Sequence, residues 1–181
     1  MVTKFLRRAT KGGRGAPAPP RQAPTAPRRP RSYYLVADVA LDQELERLRA
    51  LPVFADGPLA TRRPELKVRR AGKRPNRLGF AVPTEFRLQV TAHPGIRPGD
   101  ILETLLHELV HLHVGRAAEP HAWHGQTFKR ALATAMRQAY GIAIRVPSST
   151  RHGTYAEAIE RVRNRTVAAN RTNCKVTSDG G

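Results

Sequence analysis

Residues 98–115 read PGDILETLLHELVHLHVG, and the reading of this stretch decides both the fold class and the chemistry. Pro98-Gly99 breaks the chain, Asp100 is an N-cap candidate with Glu103 three residues on as in a capping box, and Gly115 is placed to close the helix. Ile101 to Val114 holds neither Gly nor Pro, which predicts a helix of about fourteen residues. Leu102, Leu105, Leu106, Leu109, Val110 and Leu112 leave little of its circumference polar, so it is expected to be buried. Polar groups carried into such a helix need partners. His107 and His111 are four apart and leave one face, as two ligands of a single zinc ion would. Glu108 beside them is placed to take a proton from water at the metal. The plainer alternative is a pair of core histidines bonded to backbone groups, and zinc answers the burial better.

A third protein ligand would leave a four-coordinate zinc one open position, which separates catalytic from structural sites. In the metzincin pattern HExxHxxGxxH the third His falls where this chain has Ala117, so that pattern fails. Glu119 follows Gly115 too closely to begin a second ligand-bearing helix. His121 and His124 remain. From Gly125 onward Phe128, Leu132, Ala135, Met136 and Tyr140 recur at helical spacing, and His124 falls one turn before Phe128 on the inward side. That geometry favours His124, with His121 in the loop. His113 faces away from His111 and reads as structural; His93 and His152 read as surface residues.

LLHELVHLHVG followed by HGQTFKRAL resembles the SprT-like zinc metallopeptidase domain, the group that includes bacterial SprT proteins and the eukaryotic Spartan proteases. Its motif is HExxH, a short insert, then a His-Gly pair before an aromatic residue, matched here by His107, Glu108, His111, His124-Gly125 and Phe128. LKVRRAGKRPNRLGFAV and FRLQVTA, upstream, resemble the short hairpin preceding that family's active-site helix, so the likeness covers residues 35–145. It implies an α+β, small zincin-like metallopeptidase domain with a short antiparallel sheet packed on the HExxH helix. It further implies zinc on His107, His111 and His124, Glu108 as the catalytic residue, and protein substrates on or near DNA. Many members carry a C-terminal zinc ribbon built from cysteines. Cys174 is the single cysteine here, so no ribbon can form, and nucleic-acid binding by a ribbon does not carry over.

The formal net charge of +18 is unevenly spread. Residues 1–31 hold nine Lys or Arg and no acid, amid Pro, Gly and Ala, a composition expected to stay disordered. Such an arm would bind phosphate backbones without sequence preference. Arg also outnumbers Lys by 26 to 6, the usage of a GC-rich genome, which gives the charge a plainer source. Few aromatics accompany it, so stacking on bases is not indicated. No apolar run reaches transmembrane length and no secretory leader is evident, so a cytoplasmic protein without membrane contact is expected. The organisation expected is a tail (1–31), the metallopeptidase domain (32–147), and a C-terminal helix with a polar tail (148–181).

Within it, Leu41, Leu45, Leu48 and Leu51 mark a helix ended by Pro52. Leu66 to Val68, Leu78 to Val82 and Phe86 to Val90 are strand candidates. Thr154 to Ala168 reads as a last helix with a Thr154/Glu157 capping box; its Arg161, Arg163 and Arg165 could touch phosphate but more simply form a solvated face. The functional expectation is a zinc-dependent endopeptidase acting on a protein or peptide substrate, with His121 or Tyr140 as candidate second oxyanion donor. The alternatives are a basic nucleic-acid-binding accessory protein whose zinc is structural, and a zinc hydrolase of non-protein amides.

Overall fold

The computed structural model describes residues 34–115, 123–145 and 153–176. The expectations for the basic tail, Glu119, His121 and His152 lie outside these residues. The described chain is mixed α+β, with two small sheets and five α-helices. Strands β1 (Leu35–Val36) and β2 (Val39–Ala40) pair antiparallel across Ala37-Asp38, both at positive φ as tight hairpin turns require. Helix α1 (Leu41–Arg49) follows, its Leu41, Leu45 and Leu48 completely buried on one stripe. A short 3-10 turn (Pro52–Phe54) and α2 (Pro58–Thr61), both opened by proline, lead to the main sheet.

That sheet is β3 (Glu65–Arg70), β4 (Gly79–Val82) and β5 (Arg87–Ala92), in the order β3-β5-β4. It corrects the expectation of an antiparallel sheet: β5 pairs antiparallel with β4 but parallel with β3. The reason lies in the connections. Residues 71–78 are too many for a tight hairpin, so they cross the end of the sheet and place β4 on the far edge, leaving the centre for β5. Pro83–Phe86 then makes a tight turn, with Glu85 N–H donating to Val82 O at 3.1 Å. Phe86, expected in the strand, is the last residue of that turn, and a φ of 51° delivers its ring into the core.

Helix α3 (Pro98–Val114) carries the HExxH motif, and every residue from Gly99 to Leu112 is buried. It begins earlier than the sequence suggests. Pro98 is the first helical residue, where a missing N–H costs nothing, Arg97 is the N-cap, and Asp100 reaches back to the Arg97 N–H at 3.3 Å. Glu103 is therefore free of capping α3. Its carboxylate instead accepts the Tyr155 N–H at 3.0 Å, at the start of α5 (Ala156–Val176), with the Gly153 and Thr154 N–H groups also contributing. Burial pushes the Glu103 carboxyl up to about 7 against those donors. Helix α4 (Gln126–Tyr140) presents Phe128, Leu132, Ala135 and Met136 to the same core, ending at Gly141 in the left-handed region. Burying each large apolar side chain of this core contributes about 1.5–3 kcal/mol.

Gly99 sets the approach of α3 to α5. A Cβ there would overlap the Ala156 carbonyl oxygen and stand 2.7 Å from its carbon, while the Gly99 N–H donates to Glu160 Oε1 at 3.2 Å. Gly99→Ala is expected to cost about 1–3 kcal/mol by overpacking despite alanine's better helix propensity. Gly72→Ala, into open space, should leave stability within about 0.5 kcal/mol. Thermal melts of the two variants beside the parent measure this; equal melts would mean that α5 gives way freely.

Candidate metal centre and cleft

The buried α3 delivers His107 and His111 to one face one turn apart, only 4% and 9% exposed. His124 comes from the opposite side, one residue before Gly125, the N-cap of α4, so its ring enters from the exposed rim. The three Nε2 atoms converge: 3.1 Å from His107 to His124, 3.2 Å from His107 to His111, and 3.0 Å from His111 to His124. Imidazole nitrogens each 2.0–2.1 Å from a tetrahedral zinc would stand about 3.3–3.4 Å apart, so the triangle would open by only a few tenths of an ångström to take one ion. The donor set supports the same conclusion. Each nitrogen holds either one proton or one lone pair directed at a shared centre, and no placement of protons gives three straight hydrogen bonds. A cation at that centre satisfies all three lone pairs at once. The three histidines are close enough to hold one metal ion.

Phe128 forms the floor. Its ring centroid lies 4.9 Å from that of His107, 4.3 Å from His111 and 4.8 Å from His124. In sequence this residue reads only as core; what it adds is a shared apolar surface that limits the tilt of all three rings. His124 is held toward its neutral form by burial, reinforced by the positive charges of Lys129 and Arg77. A neutral imidazole is the form that can ligate.

Glu108 is 1% exposed, and burial pushes its carboxyl up to about 8, with Arg77 pulling the other way. Space for this carboxylate exists because Gly79 has no side chain. A Cβ at Gly79 would stand 2.9 Å from Glu108 Oε1 and 2.6 Å from the Thr104 methyl. Thr104 is fixed by donating its hydroxyl to Asp100 O at 2.7 Å. The glycine that opens β4 therefore admits the acid that follows the first histidine.

Triad and glutamate open into a cleft of about 1080 Å³. One wall is Leu78, Phe80 and Ala81 of β4, the rim is Arg74 to Arg77, and Trp123, 48% exposed, closes the side next to His111. β4 is an edge strand. The Thr91 N–H donates to Leu78 O at 2.6 Å, so Leu78, Phe80 and Val82 turn their backbone groups to β5. By alternation Gly79 and Ala81 turn theirs to the open edge beside the cleft.

Comparison with known protein families, curated proteins and solved structures finds no match. The remaining expected residues are placed by geometry alone. His113 lies on the far side of α3, its ring edge-on to Phe54 at 5.2 Å and against Gly57. His93 turns Nδ1 to Pro94 O at 2.8 Å, outside the cleft lining. Tyr140 does not reach the cleft: it sits at the end of α4 and donates to Glu44 Oε1 at 3.4 Å, which removes it as an oxyanion donor. On α5, Arg163 donates to Asp38 O at 2.9 Å and Arg165 to Arg161 O, so the arginine cluster is at least partly spent on the fold. No helix among the described residues is long and apolar enough to cross a membrane. Sequence reasoning missed Arg77 and Gly79 altogether. Gly79 at the head of a strand was the available signal, since a strand glycine marks a close approach.

Proposed function

We propose that the chain is a zinc-dependent peptidase of zincin-like fold and SprT-like type. The observation that carries this reading is the convergence of His107, His111 and His124 Nε2 beside a buried glutamate, at the bottom of a cleft bordered by an open strand edge. The three histidines line an open cleft, where a substrate could reach an ion held between them, and this favours catalysis over the accessory-protein reading. That other reading rests on the basic tail, residues 1–31, which lies outside the described residues.

Zinc, when bound, would act as a Lewis acid on water and on the scissile carbonyl. The chain's own residues do the rest. The outward N–H and C=O of Ala81 offer an extended peptide two hydrogen bonds and set its direction along β4. Glu108, next to the first ligand and held under Gly79, takes a proton from the attacking water and returns it to the leaving amine. The resemblance to SprT-like domains adds DNA-associated proteins as a substrate class.

The full chain loaded with zinc should hydrolyse an unfolded protein, lose that activity on chelation, and regain it with one equivalent of zinc. Hydrolysis that survives chelation would contradict the reading, as would a zinc-loaded chain that cleaves no peptide.

A further inference from the structure

Arg77 is the feature of the cleft that the hydrolytic scheme leaves unused. Its Nε–H donates to Gly79 O at 2.8 Å, and its guanidinium carbon stands 5.3 Å from the Phe80 ring centroid. The ion pairs found among the described residues do not include it. It lines the same cleft as His107, Glu108 and His124, so it stands beside the reacting centre. Glu108 is the single acid of the described cleft lining, and proton transfer claims it. The Nε bond and the Phe80 ring orient the guanidinium before any ligand arrives, and its Nη donors face the cleft for an acceptor.

The contact with Gly79 has a further consequence. Gly79 O is one of the outward carbonyls of the edge strand, so a peptide laid on β4 meets Arg77 where it would otherwise have found a backbone acceptor. A side-chain carboxylate on the peptide converts that obstruction into a charge-assisted hydrogen bond; a lysine or arginine there is repelled. Resting on the peptidase reading, we propose that Arg77 is a specificity-determining residue that makes the cleft select peptides with an Asp or Glu close to the scissile bond.

The test uses zinc-loaded full-length chain and fluorescent peptides in which a single Glu is moved along an otherwise neutral sequence, each paired with its Gln analogue. Binding is read by anisotropy on the Glu108→Gln protein, and hydrolysis on the parent. At one position Glu should be preferred over Gln by about tenfold or more in binding. Arg77→Ala should erase that preference, and Arg77→Lys should keep part of it, with metal content unchanged in both. Several results would overturn the proposal. One is a parent that binds Glu and Gln peptides alike; another is an Arg77→Ala protein that keeps the preference. A third is equal loss on both peptides, which would assign Arg77 to the reacting carbonyl. A fourth is a short DNA duplex that outcompetes the acidic peptide through Arg77. Arg77-dependent binding of the acidic peptide without hydrolysis by the parent would reject the peptidase reading, and with it the placement of the acid beside a scissile bond; hydrolysis indifferent to the charge would reject the role of Arg77 alone.

Discussion

Glu108→Gln should lower peptide hydrolysis by about 10²–10⁴-fold, the range that general acid–base catalysis supplies, while zinc content stays at one per chain. Glutamine fits the space that Gly79 and Thr104 leave, so no cavity or clash accompanies the change. Its electrostatics are benign too. In the metal-free chain the folded Glu108 holds its proton up to about 8, against an ordinary value of 4.5. The folded state therefore binds more protons than the unfolded one between those values, and stability falls as pH rises through them. Glutamine has no such titration, so the metal-free variant should be at least as stable as the parent at pH 8. Loss of activity without loss of fold or metal isolates proton transfer as the function of Glu108. Hydrolysis by the variant at more than a tenth of the parental rate would remove Glu108 from the mechanism.

His124→Ala should weaken zinc binding by more than the roughly 10–100-fold that losing a mere supporting residue produces. The position discriminates well because His124 enters from the exposed rim, so its removal leaves the buried helix α3 untouched. His107→Ala should lose metal and stability together, since its ring is buried 4.9 Å from Phe128. Competition with a chromophoric chelator gives the affinities, and circular dichroism reports the fold. If His124→Ala binds zinc like the parent, the triangle of nitrogens is not the metal site.

Much of this arrangement can be read from residue spacing, because it is local. Four residues separate His107 from His111, and helical geometry puts them on one face whatever surrounds the helix. His124 stands just before the N-cap of α4, so helical register with Phe128 points to it but does not fix its ring, which enters from the rim and ends 4.8 Å from Phe128. The residues that escaped are those placed by long-range pairing. Nothing near residues 65–70 says that β3 will run parallel to β5, because the crossing of residues 71–78 is settled only when the sheet assembles. Arg77 and Gly79 matter because β4 becomes the edge beside α3. Glu103 looked like a cap of its own helix; it is the start of α5, fifty residues on, that claims its carboxylate. Local propensity also missed the start of α3, where proline is tolerated as the first residue rather than marking the break before it.

X-ray absorption at the zinc edge of the loaded, full-length chain tests the central claim most directly. Three imidazole nitrogens at about 2.0–2.1 Å and a single further light-atom ligand are expected, with one imidazole lost in His124→Ala. A sulfur neighbour at about 2.3 Å, a fourth protein nitrogen, or a spectrum unchanged by His124→Ala would contradict the account.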